Sequence, residues 1–315
     1  MNNKVSTRLS IITVSWNVSQ LLRDCLASVE AVRGGLDLEM VVVDSASSDD
    51  TPDMVEREFP WVNLIRCTEN VGFPKGNNIG IEASTGDYVI LLNPDTVVLD
   101  DALSQLCDYM DAHQDVGVVG PKLLNPDGSI QSSRRRFPTF LTGLFESTWL
   151  QNAAPKQVLA HYFALDLPDD ETAVVDWVMG AALLTRRSII ERVGGLDEDY
   201  FMYSEELDWC RRIKAAGWEV IYYPSAQIVH HLGKSSEQAV THRHINFNKA
   251  KLRYFRKYHG PMVAFALRAF LLLTYLQQLL LELLKGIIGH KRPLRWQRAK
   301  SYWQVVRSGL RPAGY

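Results

Sequence analysis

The chain has 315 residues, enough for one large domain with an appendage or for two ordinary domains. Its 46% hydrophobic and 22% charged residues are typical of a folded protein and exclude a disordered or fibrous chain. The formal charge of -2 is unevenly divided, because the stretch 285–315 holds eight basic residues and no acid. The body is therefore acidic, at about -10, and the end basic, at about +8, so we expect the two parts to have different partners.

The four cysteines (Cys25, Cys67, Cys107 and Cys210) are far apart and form no CxxC pair. This spacing indicates neither zinc binding nor redox exchange, and it favours reduced, mostly buried thiols in the cytosol. The first residues lead into a strand without the charged head, long apolar segment and cleavage site of a signal peptide. We therefore expect a cytoplasmic protein.

In chain order, strand-like and helix-like segments alternate through the first half, which is typical of βαβ units around a mostly parallel sheet. The sequence predicts strands at 9–16, 38–44, 62–66, 88–92 and 116–124, with helices at 19–33, from 52, at 75–84 and at 100–113. Farther on it predicts a hairpin turn at 125–128, a long loop with one helix up to 171, strands at 174–178, 181–184, 218–222 and 227–230, and a helix at 204–216.

Acidic side chains stand at the ends of two predicted strands. Asp44 ends the second strand, and Asp95 follows the fourth after Asn93 and Pro94. Because parallel strands end at one edge of a sheet, both acids are expected to face the same crevice. Taken alone, Asn-Pro-Asp is more simply a turn, since proline fixes φ and Asn or Asp bonds its own backbone.

Five segments together resemble family 2 of the inverting nucleotide-sugar glycosyltransferases, most closely the bacterial rhamnosyltransferase-like branch. They are "SIITVSWN" (Ser10–Asn17), "VVVDSASSDDT" (Val41–Thr51), "ENVGFPKGNNIGI" (Glu69–Ile81), "LLNPDTVV" (Leu91–Val98) and "GGLDEDYFMYSEELDWCRR" (Gly194–Arg212). The resemblance covers about 9–259. It implies the GT-A fold, an α/β architecture with a Rossmann-like, mostly parallel sheet flanked by helices, as a catalytic domain at 1–260 and a helical tail at 261–315.

The resemblance implies a nucleotide-sugar pocket at the ends of the first strands. Asp44 would contact the base or ribose, which suits a carboxylate that accepts hydrogen bonds with charge assistance. The alternative for Asp44 is a loop turn or cap. The other residues implied for this pocket are Thr13, Val14, Asn17, Asn70, Gly72, Phe73, Gly76, Asn77 and Asn93.

The resemblance also implies a divalent metal, Mg²⁺ or Mn²⁺, held against the phosphates of the donor. Asp95 corresponds to the last acid of the family's DxD-type motif, and Asn93 stands where the first acid often is. His230 resembles a late histidine that completes the site in some relatives, although a histidine that closes a strand is often a satisfied core residue. Because Asn93 is neutral, we expect weak metal binding without the nucleotide.

The general base implied by the resemblance is Glu206, with Glu205 and Asp208 as second choices. Relatives usually have Glu-Asp where this chain has Glu205-Glu206, and the second residue is the base. The alternative is ordinary helix chemistry, in which acids favour the first turn and Asp208 pairs with Arg211 or Arg212.

Two groups are expected on the acceptor side. Arg134, Arg135 and Arg136 fit an anionic acceptor such as a polyprenyl diphosphate sugar, or else form a solvated basic loop. Trp177, Gly180 and Ala181 resemble the family's acceptor-side strand, with core packing as the alternative.

The end of the chain combines an apolar stretch, 262–288, with the basic residues that follow it. The uncharged run between Arg268 and Glu282 is shorter than the roughly 20 residues of a membrane span, so the sequence favours a helix on an anionic membrane surface. Docking on the catalytic body or on a second subunit, as in a homodimer, is the alternative. The acidic body and the absence of a binding motif exclude nucleic acid as the expected partner.

These features predict a metal-dependent inverting glycosyltransferase, peripheral at the cytoplasmic membrane face. It would move a sugar from a nucleoside diphosphate donor to a hydroxyl of a glycan or polyprenyl-linked glycan in cell-surface polysaccharide synthesis. The resemblance makes L-rhamnose from dTDP-rhamnose the leading donor. The alternatives are another hexose or N-acetylhexosamine from a UDP-sugar, or a non-catalytic scaffold that binds nucleotide sugars.

Overall fold

The structure, a computed structural model, describes residues 8–231, 240–289 and 291–312. The described residues form two compact units. The first comprises 8–137, 160–198 and 205–231, and the second comprises 138–159, 199–204 and the helices from 240 onward. The predicted domain boundary between 260 and 261 stays a prediction.

The first unit is built on one large mixed sheet. The strands are β1 (Leu9–Ser15), β2 (Leu38–Asp44), β3 (Asn63–Arg66), β4 (Tyr88–Leu92), β5 (Thr96–Val98), β6 (Val116–Leu124), β7 (Ile130–Gln131), β8 (Arg134–Arg135), β9 (Ala173–Val175), β10 (Trp177–Val178), β11 (Ala182–Arg186) and β12 (Glu219–His230). The sheet order is β3-β2-β1-β4-β11-β6-β12-β5, with β7 beside β6 and β9 beside β12, and β8 pairs separately with β10.

Helices follow the strands of this unit, as the alternating pattern predicts. They are α1 (Ser19–Val32), α2 (Thr51–Glu58), α3 (Phe73–Glu82), α4 (Ala102–Ala112), α7 (Arg187–Val193) and α8 (Glu205–Ala215). The chain between β8 and β9 holds α5 (Phe140–Phe145), which belongs to the second unit, and α6 (Lys156–Tyr162), which spans the boundary between 159 and 160. The α/β class is therefore confirmed. The four cysteines are free, and all except Cys67 are buried.

The parallel part of the sheet brings three strand ends to one edge. β1 pairs in parallel with β2 and with β4, in a register that sets Ser15 beside Asp44 and Ile12 beside Leu91. Every residue of β1 and β4 is buried, as expected for strands covered on both faces. The C-terminal ends of β1, β2 and β4 thus lie side by side, as the sequence predicts.

Helix α3 lies unusually close to β1 because two of its residues are glycines. A Cβ atom on Gly76 would lie 2.8 Å from both methyl carbons of Val14, and one on Gly80 would lie 2.3 Å from Cγ2 of Ile12. These distances are too short for any side chain. The glycines of the "ENVGFPKGNNIGI" segment therefore set the distance between helix and strand.

Several predicted elements were wrong. The stretch 139–171 is not a loop with one helix. Thr139 caps α5, Thr148 caps a 3-10 helix at Trp149–Ala153, and α6 follows. The two late strands are one strand, β12, whose register shifts between Tyr223 and Gln227. The sequence reading missed the three-residue strand β5 and helix α7, both too short to show a clear period.

The second unit ends in three helices, α9 (Val240–His259), α10 (Pro261–Ile288) and α11 (Arg292–Ser308). α10 and α11 are joined by an ion pair in which Nη1 of Arg295 lies 2.9 Å from Oε1 of the buried Glu282. Asn248 of α9 donates to the hydroxyl of Tyr275 on α10 at 3.0 Å. These polar contacts tie the three helices together.

Helix α10 is longer than the sequence argument assumed. Its 28 residues extend about 42 Å, since an α-helix rises about 1.5 Å per residue. Within the described residues it alone has the length and apolar composition of a membrane-crossing helix, and 33% of its most apolar window is buried. The uncharged run between Arg268 and Glu282 therefore underestimates the length of the apolar helix. A core helix of a soluble protein passes the same test.

Candidate active site

The ends of β1 and β2 are joined by side chains predicted to line the nucleotide pocket. Asp44 is buried, and its carboxylate accepts hydrogen bonds from the backbone N–H of Ser47 at 3.0 Å and from the hydroxyl of Ser15 at 3.3 Å. Asn17 has a left-handed φ of 54°, and its Oδ1 accepts the N–H of Ser48 at 2.6 Å. Both side chains thus hold the loop after β2.

The loop before α3 lies against this same edge. Oδ1 of Asn70 accepts hydrogen bonds from the hydroxyl of Ser45 and the N–H of Gly72, both at 3.1 Å. Gly72 has φ of 80°, a conformation that favours glycine, and Phe73 begins α3. The structure therefore brings Asn70 and Gly72 beside the residue that follows Asp44.

Two asparagines of this region keep an acceptor without a partner. Asn77 donates its amide to the carbonyl of Phe73 at 2.9 Å, but its buried Oδ1 has no hydrogen-bond partner among the described residues. The same holds for Oδ1 of Asn93. The hydroxyl of Thr13, by contrast, has a partner. It donates to the carbonyl of Leu92 at 2.8 Å and links β1 to β4.

Asp95 and His230 face each other in the interior. Their side chains are 1% and 4% exposed, and Nε2 of His230 lies 3.3 Å from Oδ1 of Asp95. That oxygen has no hydrogen-bond partner among the described residues. The pairing of β5 with β12, which sets Thr96 beside His230, brings the two residues together although they are far apart in sequence.

The donor set fits a divalent cation only in part. A buried carboxylate oxygen that lacks a partner, facing an imidazole nitrogen, is chemically suited to Mn²⁺ or Mg²⁺. Among the described residues no cluster of three or more His, Cys, Asp or Glu side chains is suited to a metal. An ion held here would therefore take its remaining ligands from water or from a phosphate-bearing substrate.

Glu205 and Glu206 open α8 and are both hard to ionise. Burial, followed by the negative charge of Glu206, raises the pKa of Glu205 well above its ordinary value. Burial also raises the pKa of Glu206, although a hydrogen bond from the N–H of Gly180 and the positive charge of Arg135 oppose this. Each glutamate has a buried Oε2 without a hydrogen-bond partner among the described residues.

Asp208 has a different environment. It is fully buried, and its Oδ2 accepts a hydrogen bond from Nε of Arg212 at 2.9 Å, the helical pairing that the sequence offered as the alternative. Arg212 also donates to the carbonyls of Val193 at 3.0 Å and Gly195 at 2.6 Å. This ion pair holds the Gly194-Gly195 turn against α8.

The three consecutive arginines are not equivalent. Nη1 of Arg134 lies 2.5 Å from Asp169, and Arg136 donates two hydrogen bonds of 2.6 Å to Asp166. Arg135 lies across the β8-β10 pair from Trp177 and over the ring of Phe163. The positive charge of Arg135 acts on Glu206 and lowers its pKa, against the larger effect of burial.

The segment with Gly180 and Ala181 connects the two acidic groups. The carbonyl of Ala181 accepts the N–H of Asn93 at 2.9 Å, two residues before Asp95. A Cβ atom on Gly180 would lie 3.4 Å from Cβ of Glu206, so the two residues are in direct contact. Glu206 and Asn93, two residues before Asp95, therefore contact one short backbone segment. The sequence reading missed Gln131, which contacts His230 and shows no motif beyond its place after the hairpin turn.

Comparison with known proteins identifies the family. Residues 10–168, half of the chain, match the model for "Glycosyl transferase family 2". The chain belongs to this family. The resemblance noted from the five segments is thereby confirmed, and glycosyl transfer is the activity of this family 2 chain.

Curated relatives and a solved structure agree with this family 2 assignment. The chain is 29% identical over 239 residues to an N-acetylglucosaminyl-diphospho-decaprenol L-rhamnosyltransferase of Mycobacterium tuberculosis, covering 72% of this chain and 77% of that one. It is 29% identical over 171 residues to the rhamnosyltransferase WbbL of Escherichia coli, covering 51% and 61%. The mannosyltransferase PcManGT from Pyrobaculum calidifontis, solved with GDP-Man and Mn²⁺, has a TM-score of 0.55 at 18% identity over 99% of this chain and 77% of that one. This last likeness shows the fold, which is GT-A as predicted.

Proposed function

We propose that this family 2 chain is a metal-dependent inverting glycosyltransferase of cell-surface polysaccharide synthesis. It moves a sugar from a nucleoside diphosphate donor to a hydroxyl of a glycan or polyprenyl-linked glycan. The main support is that Asn93, two residues before Asp95, and Glu206 contact the same segment at Gly180 and Ala181. Asp95 and Glu206 each also have a buried oxygen without a hydrogen-bond partner among the described residues. The names of the rhamnosyltransferase relatives support L-rhamnose as the transferred sugar, and the resemblance of the five segments makes dTDP-rhamnose the leading donor.

The donor nucleotide is assigned to the edge formed by β1, β2 and the loop before α3. Asp44 is the acceptor for the base or ribose, and the hydrogen-bonded loops of Asn17 and Asn70 shape the pocket around it. Oδ1 of Asn77 and Oδ1 of Asn93, which have no hydrogen-bond partner among the described residues, are assigned to the diphosphate side. The close approach of Gly76 to Val14 lets the backbone of α3 come near the donor.

Asp95 and His230 are the residues that would hold Mg²⁺ or Mn²⁺. Their fit rests on Oδ1 of Asp95, which has no hydrogen-bond partner among the described residues, and on the facing Nε2 of His230. When bound, such an ion supplies electrostatic stabilisation of the departing diphosphate. The neutral Asn93 would add no charge to the site, so tight binding of the ion would depend on the phosphates of the nucleotide.

Glu206 is assigned as the general base. The acceptor oxygen forms a bond to the anomeric carbon while the bond to the diphosphate breaks, and the carboxylate of Glu206 receives the hydroxyl proton. A raised pKa brings this group nearer to the working pH, which suits a base. The more strongly raised pKa of Glu205 favours its protonated form, and Asp208 positions the helix through Arg212.

The acceptor is assigned to the side of Trp177, Gly180 and Ala181. Arg135, which donates to the hydroxyl of Ser132 at 2.7 Å and lies over the ring of Phe163, is the basic group assigned to an anionic acceptor there. Arg134 and Arg136 are already bound to aspartates and so shape the loop that borders this side. A lipid-linked diphosphate would be drawn to this group by charge.

A location at the inner membrane face is supported by α10 and α11. Leu273, Leu276, Leu280, Leu284 and Ile287 recur at helical spacing on α10 and are 40% to 65% exposed, and we name them the exposed stripe. Trp296 and Trp303 of α11 are about half exposed as well. An apolar helix face followed by a basic segment is typical of a helix that lies in an anionic interface.

A donor screen tests the function. Purified full-length protein with Mn²⁺ is given dTDP-rhamnose and a set of UDP-sugars, and release of the nucleoside diphosphate is measured. We expect turnover with dTDP-rhamnose and a loss of about 10² to 10⁴-fold in Glu206→Gln, with the exposed Glu191→Gln as control. Equal rates for Glu206→Gln and the wild type would show that Glu206 is not the base. Turnover only with a UDP-sugar would assign a different donor. Binding of donors without any turnover would favour the scaffold alternative.

A further inference from the structure

We propose that Gln131 is a positioning residue that fixes the tautomer of His230, and that the hairpin turn Asn125–Ser129 fixes Gln131. The inference rests on the proposed metal role of Asp95 and His230. It concerns the proton on the imidazole ring. It also gives a role to the Asn-Pro-Asp-Gly turn, which the proposed function leaves unused.

The relay begins at the exposed end of the hairpin. The hydroxyl of Ser129 donates its one hydrogen to the carboxylate of Asp127 at 2.6 Å, because a carboxylate can only accept. The oxygen of Ser129 therefore accepts from Asn125, whose Nδ2 lies 2.9 Å away. This orientation turns Oδ1 of Asn125 toward Gln131.

The second step fixes the amide of Gln131, which is 7% exposed. Its Nε2 donates to Oδ1 of Asn125 at 2.9 Å and to the backbone carbonyl of His230 at 3.3 Å. A backbone carbonyl cannot exchange its acceptor for a donor, so the reversed amide would set two oxygens against each other. Oε1 of Gln131 must therefore face the imidazole.

The third step places the ring proton. Nδ1 of His230 lies 2.7 Å from Oε1 of Gln131, and two acceptors at that distance would repel, so Nδ1 carries the hydrogen. In the neutral ring Nε2 is then a bare acceptor. It lies 3.3 Å from Oδ1 of Asp95, which has no hydrogen-bond partner among the described residues. The lone pairs of Nε2 and of Oδ1 of Asp95 thus face each other and could together bind a cation. A hydrogen bond from the other ring nitrogen, here to Gln131, is how proteins orient a histidine that binds a metal.

The first experiment reads the tautomer without any metal. Full-length protein labelled with nitrogen-15 in its histidine rings is studied by NMR at about pH 8, where a free imidazole is neutral, and His230→Ala assigns the signal. We expect Nδ1 protonated and Nε2 bare in the wild type, and a mixture of tautomers in Gln131→Leu. A wild-type ring protonated at Nε2, or an unchanged ring in a folded Gln131→Leu, would overturn the proposal.

The second experiment measures Mn²⁺ binding by its electron paramagnetic resonance signal in the presence of dTDP. Gln131→Leu should weaken binding about 10 to 100-fold, the usual cost of losing a partner behind a ligand. Gln131→Glu, which keeps an acceptor for Nδ1, should recover part of it, and the exposed Ile130→Ala on the same hairpin is the control. Equal binding in Gln131→Leu and wild type would refute the role toward the metal. If His230→Ala also binds Mn²⁺ normally, the assignment of His230 to the metal is wrong. The NMR measurement of the tautomer still tests the role of Gln131 in that case.

Discussion

Asn93 donates its backbone N–H to the carbonyl of Ala181 at 2.9 Å, and this bond joins the Asp95 turn to the strand segment that touches Glu206. Asn93 lies immediately after the parallel strand β4, whereas Ala181 immediately precedes the antiparallel strand β11. The pairing of β4 with β11 therefore brings the turn that leads to Asp95 against the backbone segment that touches Glu206. Any displacement of this segment moves both groups.

Oδ1 of Asp95, which has no hydrogen-bond partner in the part of the chain that the structure describes, leads to a first prediction. Asp95→Asn keeps the shape of the side chain but removes its charge, and it should lower turnover by at least about 100-fold, or 2.7 kcal/mol of transition-state stabilisation. Steady-state rates over a range of Mn²⁺ concentrations measure this effect. The matched control is Asp108→Asn, on a side chain that is 75% exposed. A rate within twofold of the wild type would exclude Asp95 from the reaction.

The pH dependence of turnover should depend on Arg135. Glu206 acts as base only when ionised, so kcat/KM should fall as the pH drops through its raised pKa. The positive charge of Arg135 lowers that pKa, so Arg135→Gln should move the acidic limb of the profile to higher pH. The exposed Arg192→Gln serves as control. A limb that stays in place, or one that moves to lower pH, would contradict this assignment.

The sequence predicts those parts of the site that follow from local patterns, but it does not predict contacts between residues that are far apart in the chain. The order of strands and the shared edge of Asp44 and Asp95 follow from the βαβ pattern, since parallel strands end together. The resemblance supplied His230, but its approach to Asp95 depends on β5, three residues long and missed in the sequence. The partners of Arg134 and Arg136 were equally hidden, because Asp169 and Asp166 lie in a stretch without any period.

The stability of the protein should depend on pH because Glu205 is buried. Its folded-state pKa lies well above its unfolded value, so the native state binds the extra proton and stability falls as the pH rises toward the folded-state pKa. Glu205→Gln removes this ionisation. We expect its melting temperature to exceed that of the wild type near pH 8 and the difference to shrink as the pH approaches the ordinary value of 4.5. A difference that grows on acidification would have the wrong sign.

The close contact between α3 and β1 makes Gly76 sensitive to the smallest substitution. In Gly76→Ala the new Cβ atom would lie 2.8 Å from both methyl carbons of Val14, so the helix or the strand must shift. Overpacking of this kind costs about 1 to 3 kcal/mol, and denaturant unfolding measures it. Gly35→Ala is the matched control, because nothing lies within 4 Å of its added methyl group. Equal stabilities would show that α3 is held less tightly than the distances indicate.

The exposed stripe gives a prediction for the membrane that is independent of catalysis. Full burial of a leucine side chain is worth about 1.5 to 3 kcal/mol, and part of that is available at a bilayer interface. Leu280→Gln with Leu284→Gln should therefore lower binding to anionic liposomes at least about tenfold in a flotation assay, where 1.4 kcal/mol is a factor of ten. Leu165→Gln, on a leucine that is 63% exposed outside α10, is the control.

If the double variant floats like the wild type, or if the wild type binds neutral and anionic liposomes equally, the exposed stripe and the basic residues of 285–315 do not act together at a membrane. A wild type that stays in solution and forms a dimer, which the double variant does not, would instead assign the exposed stripe to a second subunit.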